Sequence, residues 1–426
     1  MSQSFHIDGG YPLVGTISAS GSKNASFPIL AAIVLLSRPI IVTNLPNIVD
    51  IQCFTEILEK MGATITRLGA NELLIDPTTI TNQAVPAELG SRIRGSYYLL
   101  GALLARFHEA TIPYPGGCDI GHRPMDLHVD ALSKLGVTFT SDEYCLTGKW
   151  ISIDTESTII ELPFPSRGAT INLILACSLN LNSMTRIMNA NSSPETNSLI
   201  DFLKQAGLEI WREGNDICVS GNDQLTLSEF SIIPDKIEVA TLLSAGLITR
   251  GQVEVQGVII DHIKPFLDKL REIGYCFHIN DDRVLVTPNH VTQLQPIDVI
   301  SGLEVSQIDA DFEPLLTVLL TRVIGKSIVE DAINPQRHSK FIPQLNEMGA
   351  NIEMLSNSRA VIYGRTEFTA GRVQCNEIRG GIALILAALS TKGISRINNV
   401  VQIDRGYEHF EKKLQILGAS IERITV

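Results

Sequence analysis

The stretch Leu58-Glu-Lys-Met61-Gly62-Ala-Thr-Ile65 decides the fold, because its pattern of apolar residues around a glycine occurs six times along the chain. The six glycines are Gly62, Gly136, Gly207, Gly274, Gly349 and Gly418, separated by 74, 71, 67, 75 and 69 residues. In each copy the leucine and the apolar residue before glycine share one face of a helix, and the glycine predicts a left-handed C-cap before a strand. This spacing indicates one supersecondary unit of about 70 residues, repeated by tandem duplication.

Each repeat also opens with a second helix that is apolar on almost every side, which is typical of a helix buried in the interior. These segments cover residues 23–36, 94–105, 167–179, 235–247, 311–320 and 378–389. The sequence therefore predicts an α/β fold, an inside-out α/β barrel with central helices and sheets outside them. Because three repeats can close one globule, we expect two domains, residues 22–235 and residues 1–21 plus 236–426, with the functional site in the cleft between them.

The composition is that of a compact globular protein, with 44% hydrophobic and 19% charged residues. The net charge of −12 has the wrong sign for binding a phosphate backbone, so we expect no nucleic-acid partner. The longest apolar run near the start, residues 27–36, is shorter than the roughly 20 residues of a bilayer span, and no secretory signal precedes it. We therefore expect a cytoplasmic protein with no membrane partner.

The seven cysteines show no spacing typical of a zinc site, and their odd number argues against a disulfide framework. Most lie in apolar patterns, as Cys177 and Cys218 do, where a buried structural thiol is expected. Cys118 differs, because it lies in the stretch Pro115-Gly-Gly-Cys118 and Arg123 follows closely. Glycines allow a loop to close, and nearby cations lower the pKa of a thiol, so we predict that Cys118 is reactive.

Polar or charged residues occupy the turn before each buried helix. They are Lys23 with Asn24, Arg94, Ser166 with Arg167, Lys236, Asp309 with Asp311, and Glu377 with Arg379. Helix N-termini present unpaired N–H groups and a partial positive charge, which suit anions. Lysine and arginine at a helix start oppose that dipole, so capping alone does not explain them. We expect these helix starts to converge on an anionic small molecule.

Three motifs resemble those of the UDP-N-acetylglucosamine enolpyruvyl transferases of peptidoglycan synthesis, which are related to the EPSP synthases. The motifs are Ser20-Gly-Ser-Lys23-Asn24-Ala25, Pro115-Gly-Gly-Cys118-Asp-Ile-Gly-His-Arg123-Pro124-Met-Asp126-Leu127-His128 and Ile403-Asp-Arg405-Gly-Tyr407-Glu408. The similarity runs from the first strand to the last residue, and it implies the same two-domain fold. It also implies a monomer without cofactor or metal that transfers the enolpyruvyl group of phosphoenolpyruvate to the 3-hydroxyl of UDP-N-acetylglucosamine.

The resemblance also implies a role for each matching residue. The catalytic residues would be Cys118, Asp309, Lys23 and Arg405. They would supply an acid for C3 of phosphoenolpyruvate, a base for the acceptor hydroxyl, and cations for the carboxylate and phosphate. The substrate contacts would come from Lys23, Asn24, Arg94, Arg123, Pro124, Met125, Asp126, Leu127, Ser166, Arg167, Gly168, Asp309, Arg337, Arg379 and Arg405. Arg337 and His338 compete for one family arginine, because the register there is open by one residue.

Four features depart from the family pattern. Val49 replaces a lysine, Ser193 a glutamate and Glu377 an aspartate, and the segment 334–340 has an unusual context. Two alternatives therefore stay open: a paralogue that uses another nucleotide or nucleotide-sugar acceptor, and a catalytically dead binding or regulatory protein with the same fold. EPSP synthase activity is disfavoured, because a Pro-Gly-Gly-Cys loop is not part of that branch's pattern.

Overall fold

The computed structural model describes residues 3–114, 116, 125–151, 157–180, 184–288, 294–302 and 307–425. Their contacts divide into two compact units. Of the described residues, those between Gly21 and Ile233 form the inserted unit, and those up to Ser20 together with those from Pro234 onward form the terminal unit. The described parts of the chain change from one unit to the other after Ser20 and after Ile233.

The chain starts in the terminal unit with strands β1 (Gln3–Gly9) and β2 (Val14–Ser18), and then enters the inserted unit. The helices of the inserted unit are α1 (Lys23–Ile33), α2 (Val49–Lys60), α3 (Ala87–Gly90), a 3₁₀ helix (Arg94–Tyr98), α4 (Leu99–Phe107), α5 (Asp126–Ser133), α6 (Arg167–Cys177) and α7 (Pro194–Gln205). Its strands are β3 (Ile40–Thr43), β4 (Thr64–Gly69), β5 (Glu72–Asp76), β6 (Glu109–Pro113), β7 (Val137–Ser141), β8 (Cys145–Trp150), β9 (Thr158–Glu161), β10 (Met184–Met188), β11 (Glu209–Glu213), β12 (Asp216–Ser220) and β13 (Glu229–Ser231).

The chain then returns to the terminal unit, which contains the remaining elements. Its helices are α8 (Lys236–Ile248), α9 (Ile260–Ile273), α10 (Glu313–Leu320), α11 (His338–Glu347), α12 (Ile378–Leu389), α13 (Val401–Asp404) and α14 (Phe410–Ile416). Its strands are β14 (Gln252–Gln256), β15 (Phe277–Asn280), β16 (Arg283–Val286), β17 (Val299–Ser301), β18 (Gly325–Asp331), β19 (Ile352–Met354), β20 (Arg359–Gly364), β21 (Arg372–Gln374), β22 (Gly393–Asn398) and β23 (Ser420–Thr425).

The predicted apolar helices form the centre of each unit. Helices α1, α4 and α6 belong to the core of the inserted unit, and α8, α10 and α12 to that of the terminal unit. Every residue of α8, α10 and α12 is buried, because neighbouring helices or strands cover these helices on all sides. A helix without a polar face is stable only in such a position, so the burial prediction is confirmed.

The six repeat glycines all adopt the left-handed backbone conformation predicted from the sequence. Their φ angles lie between 87° and 112°. Each follows an amphipathic helix, namely α2, α5, α7, α9, α11 or α14, and a strand or extended segment comes next. Because only glycine adopts this conformation without a steric penalty, these residues end the helix at the same point in every repeat.

The sheets connect the repeats within each unit. Most sheets have four strands, and a strand from the preceding repeat pairs in parallel with the first strand of the next, as β9 does with β10 and β17 with β18. In the inserted unit β13 pairs in parallel with β3, with Phe230 opposite Val42, so the third repeat closes onto the first. In the terminal unit β2 pairs with β14, and β1 lies between β22 and β23. Each unit is therefore closed by its own strands.

Of the cysteines that the structure describes, Cys53, Cys177, Cys218 and Cys375 are buried. The six cysteines that the structure describes form no disulfide with one another. Cys177 lies in α6, where burial raises the pKa of its thiol to about 12. Within the described ranges, no helix is long and apolar enough to span a bilayer.

Candidate functional site

Lys23 begins α1 directly after Ser22, whose hydroxyl accepts the N–H of Ala25. The ammonium of Lys23 lies 2.7 Å from the carboxylate of Asp50 on α2, and both side chains are more than nine-tenths buried. A lysine at a helix start opposes the helix dipole, and the carboxylate of Asp50 offsets its charge. Lys23 is thereby held beside the helix N-terminus, and Asn24 is its half-buried neighbour.

Arg94 begins the 3₁₀ helix before α4, and its guanidinium lies over the ring of Tyr97, 5.3 Å from the centroid. The Tyr97 ring meets the His128 ring edge to face at 4.9 Å, and His128 Nδ1 is hydrogen-bonded to Asn172 of α6 at 3.1 Å. Burial, aided by the positive charge of Arg94, lowers the pKa of His128 to about 4, so the imidazole is neutral at pH 7. Gly168 is required here, because a Cβ would lie 2.7 Å from His128 Cε1.

The start of α6 combines a cap and a cation. The hydroxyl of Ser166 accepts the N–H of Ala169 at 3.4 Å, as a capping serine does. The guanidinium of Arg167, the first residue of the helix, lies 3.9 Å from the buried carboxylate of Glu195 on α7. Arg167, like Lys23, therefore has a carboxylate opposite its charge.

The predicted catalytic loop is only partly described. Met125 is buried, and Asp126 and Leu127 open α5, the helix that carries His128. Cys118, Arg123 and Pro124 lie outside the described residues. The reactivity of the Cys118 thiol therefore stays a prediction.

In the terminal unit, Asp309 lies just before α10. Its Oδ2 is 2.8 Å from the ammonium of Lys236, the first residue of α8. Its Oδ1 accepts the backbone N–H of Asp311 at 3.0 Å. The Lys236 side chain is only 7% exposed, whereas that of Asp309 is 21% exposed. A buried ammonium and a backbone amide thus fix a carboxylate that solvent reaches in part.

Asp311 joins two buried arginines. Its Oδ1 accepts a hydrogen bond from Arg337 Nη2 at 3.0 Å, and its Oδ2 accepts one from Arg379 Nη2 at 3.1 Å. Arg337 also donates to the carbonyl oxygen of Ala310, and Arg379 also donates to the hydroxyl of Tyr407 at 3.2 Å. The segment Asp309–Ala310–Asp311 is therefore tied to the starts of α8, α11 and α12.

The carboxylates of this cluster keep both guanidiniums charged. Burial lowers the pKa of Arg337 and of Arg379, but the neighbouring carboxylates, Asp311 first among them, raise it by more, so both pKa values lie above the usual one. Burial raises the pKa of Tyr407 to about 12, so its hydroxyl is protonated and able to donate. Its oxygen lies 2.9 Å from Thr241 Oγ1.

Arg337 and His338, the two candidates for one family arginine, face different partners. Arg337 faces Asp311, and His338 Nε2 lies 3.2 Å from the carboxylate of Glu313 on α10. The side chains of Arg337 and His338 are 2% and 0% exposed, respectively. Arg337 and His338 therefore contact different carboxylates, and both side chains are buried.

Arg405 lies at the end of α13 and donates from Nη1 to Gln402 Oε1 at 3.2 Å. The preceding Asp404 binds Arg423 of β23 through both carboxylate oxygens, at 2.7 and 2.8 Å. Arg423 also binds Glu411 of α14. The helix that carries Arg405 is thus fixed to the outer sheet by charged hydrogen bonds.

The positions that depart from the family pattern have local structural roles. Val49 begins α2 next to Asp50. Ser193 caps α7 by accepting the N–H of Thr196 at 3.4 Å. Glu377 caps α12, where its carboxylate accepts the backbone N–H of Arg379 at 2.8 Å. Two of the three are helix caps, a role that their side chains suit well.

Three residues that were not predicted as members of the site lie next to it: Asp50 contacts Lys23, Tyr407 contacts Arg379, and His128 contacts Tyr97, over which Arg94 lies. Asp50 could have been found from the acidic residue in the first turn of α2. His128 and Tyr407 lie inside the quoted motifs, but their contacts with Tyr97 and Arg379 depend on elements distant in sequence.

Comparison with known proteins extends over the whole chain. A family model described as EPSP synthase (3-phosphoshikimate 1-carboxyvinyltransferase) matches residues 7–414. UDP-N-acetylglucosamine 1-carboxyvinyltransferase 2 of Caldanaerobacter subterraneus is 36% identical over 421 residues, covering 99% of each chain. The UDP-N-acetylglucosamine 1-carboxyvinyltransferase of Helicobacter pylori is 35% identical and covers 98% of each chain.

Solved structures share the fold at lower sequence identity. The enolpyruvyl transferase NikO from Streptomyces tendae superposes with a TM-score of 0.90 at 23% identity, covering 100% of this chain and 99% of its own. An EPSP synthase from Acinetobacter baumannii gives a TM-score of 0.75 at 17% identity, covering 99% of this chain and 100% of its own. These similarities confirm the predicted fold class.

Proposed function

The chain belongs to the EPSP synthase family, within its UDP-N-acetylglucosamine 1-carboxyvinyltransferase branch, and we propose that it transfers the enolpyruvyl group of phosphoenolpyruvate to the 3-hydroxyl of UDP-N-acetylglucosamine, releasing phosphate. The observation that carries this proposal is the full-length similarity, at 34–37% identity, to relatives that bear that name. The product would enter peptidoglycan synthesis.

The reaction sets clear demands on the protein. The acceptor oxygen bonds to C2 of phosphoenolpyruvate while C3 gains a proton; phosphate then leaves C2, and C3 loses a proton. A base near the acceptor hydroxyl, an acid near C3 and cations at the phosphate all lower the barrier. We assign the base to Asp309, because it is a partly exposed carboxylate that the buried Lys236 holds in one place.

The remaining roles follow the sequence motifs. Cys118 is the proposed acid for C3, and fosfomycin-type epoxides should alkylate it. Lys23, Arg379 and Arg405 are the proposed cations for the carboxylate and phosphate of phosphoenolpyruvate. The close packing of Arg94, Tyr97 and His128 supports a rigid surface in the inserted unit for the nucleotide sugar, to which Asn24, Ser166, Arg167 and Gly168 are also assigned.

Phosphate release by the purified protein tests this proposal directly. The assay supplies phosphoenolpyruvate with UDP-N-acetylglucosamine, other UDP-sugars, or shikimate 3-phosphate, and mass spectrometry identifies the product. We expect release with UDP-N-acetylglucosamine and none with shikimate 3-phosphate. Release with another nucleotide sugar alone would favour the paralogue. No release with any acceptor, from protein that is folded and binds UDP-N-acetylglucosamine, would favour the catalytically dead binding protein.

A further inference from the structure

We propose that Asp311 is a positioning residue. The buried Arg337 holds the Asp311 carboxylate in place, and the carboxylate in turn orients the guanidinium of Arg379. The two oxygens of this carboxylate bind one guanidinium each, at 3.0 and 3.1 Å. This inference rests on the proposed function, because Arg379 is there assigned to phosphoenolpyruvate. In this arrangement Arg337 supports a substrate-binding residue and does not itself contact the substrate.

Arg337 has the properties of an anchor. Its side chain is 2% exposed, and it donates to the carbonyl oxygen of Ala310 as well as to Asp311. The wholly buried carboxylate of Asp331 lies 3.4 Å from its Nη1. A guanidinium held on several sides in the interior has no freedom to follow a substrate, but it can fix the residues that it binds.

Asp311 is suited to relay this orientation and poorly suited to take a proton. Each of its oxygens already accepts a charged hydrogen bond from an arginine, and such bonds are short and directional. Asp309, two residues earlier, has one ammonium and one backbone amide on its carboxylate. The two acidic residues of this segment therefore have different roles: Asp309 is the base, and Asp311 orients Arg379.

Arg379 needs such support because its side chain is long. An arginine that is free to rotate loses entropy when an anion binds, and fixing it beforehand removes that cost. Tyr407 binds Nη1 of Arg379 and Asp311 binds Nη2, so the two contacts together define the plane of the guanidinium. Without Asp311, the hydrogen bond that remains to the guanidinium among the described residues is the one with Tyr407, and the group can turn about it.

The first test compares the kinetics of Asp311→Asn with those of a matched control. We expect Asp311→Asn to raise KM for phosphoenolpyruvate about tenfold, the effect of ordering one long side chain on binding, while kcat changes less than threefold. KM for UDP-N-acetylglucosamine should change less than twofold. The control is Asp268→Asn, which removes a carboxylate from Arg271 of α9, in the same unit and outside the assigned site. We expect its kinetic constants to equal those of the wild type.

The second test uses Arg337→Lys to establish that Arg337 acts through Asp311. We expect this variant to raise KM for phosphoenolpyruvate in the wild-type background and to add less than twofold in the Asp311→Asn background. Equal effects in both backgrounds would mean that Arg337 acts on the substrate directly, and would overturn the proposal. Thermal unfolding of each variant is measured alongside, so that a loss of folding is recognised.

A third readout does not depend on turnover. In protein labelled with ¹⁵N-arginine, the Nε–H signal of Arg379 is identified by its absence in Arg379→Lys. We expect a single sharp signal in the wild type and in Asp268→Asn, and a broadened one in folded Asp311→Asn. An unchanged Arg379 signal, or an unchanged KM for phosphoenolpyruvate, would overturn the role of Asp311. If the wild type releases no phosphate with any acceptor, the proposed function fails, and the NMR signal alone still decides whether Asp311 orients Arg379.

Discussion

Cations stand at several helix starts of this protein, and carboxylates from other elements offset their charge. The pairs are Lys23 with Asp50, Arg167 with Glu195, Lys236 with Asp309, and Arg379 with Asp311. In each pair the cation lies at a helix N-terminus, where the helix dipole alone would disfavour a positive charge. The carboxylates therefore allow a cation to lie next to the unpaired backbone N–H groups of a helix N-terminus. Both the cation and these N–H groups favour binding of an anion.

The first prediction at this scale concerns Asp309. Asp309→Asn keeps the size of the side chain and a carbonyl oxygen near Lys236, but the amide cannot accept the proton of the acceptor hydroxyl. We expect kcat to fall by about two to four orders of magnitude while both substrates still bind. The measurement is steady-state kinetics together with calorimetric binding of UDP-N-acetylglucosamine. The control is Asp282→Asn, whose side chain is 63% exposed, and a kcat within threefold of wild type in Asp309→Asn would move the base elsewhere.

The second prediction concerns Cys118. Cys118→Ser should lose most turnover and keep UDP-N-acetylglucosamine binding, because a hydroxyl is too weak an acid to protonate C3. Cys118→Asp should recover some activity and resist epoxide alkylation. Peptide mapping after limited alkylation checks the wild type, and the exposed Cys276 provides an internal control for accessibility without activation. Inactivation that accompanies labelling of the buried Cys53 or Cys375 would argue against the assignment.

At the scale of secondary structure, the repeat glycines differ in what surrounds them. Gly418 has φ of 93° and a Cβ there would meet only open space, whereas a Cβ on Gly62 would lie 2.7 Å from the carbonyl oxygen of Thr79. We expect Gly418→Ala to lower the free energy of unfolding by about 1 kcal/mol, the cost of the left-handed conformation alone. Gly62→Ala should cost clearly more, because its backbone must also shift. Urea unfolding measures both, and equal losses would show that the contact with Thr79 relaxes freely.

The contact between α10 and α11 predicts a pH-dependent stability. Burial lowers the pKa of His338, but the carboxylates of Glu313 and Asp331 more than offset this, so the pKa is raised. Burial raises the pKa of Glu313, but His338 and the hydroxyl of Thr317 lower it by more. The stabilisation of the fold by His338 is fully present below its unfolded pKa of about 6.5 and is lost as pH rises through its folded pKa. The stabilisation by Glu313 is present above about pH 4.3 and is lost as pH falls through its folded pKa. The pair therefore stabilises the fold most between about pH 4.3 and 6.5.

His338→Gln tests this pair. Removing one partner of a buried ion pair should lower the free energy of unfolding by about 3 kcal/mol near pH 6. The loss should shrink as pH rises above the folded pKa of His338, because the wild-type pair itself loses its charge there. The control is His278→Gln on the exposed face of β15. A loss in His338→Gln that is the same from pH 6 to pH 9 would contradict the charged pair.

At the scale of the whole molecule, each unit has a core and sheets of its own. Among the described residues, the buried core of the inserted unit consists of side chains between Ala25 and Ile232, and β13 closes its sheets by pairing with β3. We expect a fragment of residues 21–233 to fold by itself, with a cooperative urea transition whose m-value fits its size. Far-UV circular dichroism and urea unfolding measure this. A fragment without a cooperative transition would mean that the unit depends on the rest of the chain.

The terminal unit allows the complementary experiment. The N–H of Asp235 donates to the carbonyl oxygen of Ser20 at 2.9 Å, so the two chain segments lie side by side where the inserted unit begins and ends. A short glycine linker from Ser20 to Pro234 should therefore replace the inserted unit without strain. We expect this shortened protein to fold, and the same protein without residues 3–20 to fail, because β1 and β2 complete two of its sheets.

Local patterns were sufficient to predict the fold class. Apolar periodicity and the glycine C-caps depend on neighbours within one or two helical turns. The sequence alone therefore predicts the repeated order of helices and strands. The exchange of strands between successive repeats could not be seen this way, because pairing such as that of β13 with β3 joins residues far apart in sequence.

Much of the charge arrangement at the candidate site was decided by the tertiary structure. The sequence placed polar residues at the helix starts, but it indicated no partner for Arg379, whose contact with Asp311 spans 68 residues. It also left Arg337 and His338 as equal candidates, and only the tertiary structure, which brings the start of α11 beside Asp311 and Glu313, pairs one with Asp311 and the other with Glu313. The physical reason is that a helix start is set by local backbone geometry, whereas the partner of a buried charge is set by which elements are brought together to exclude water from it.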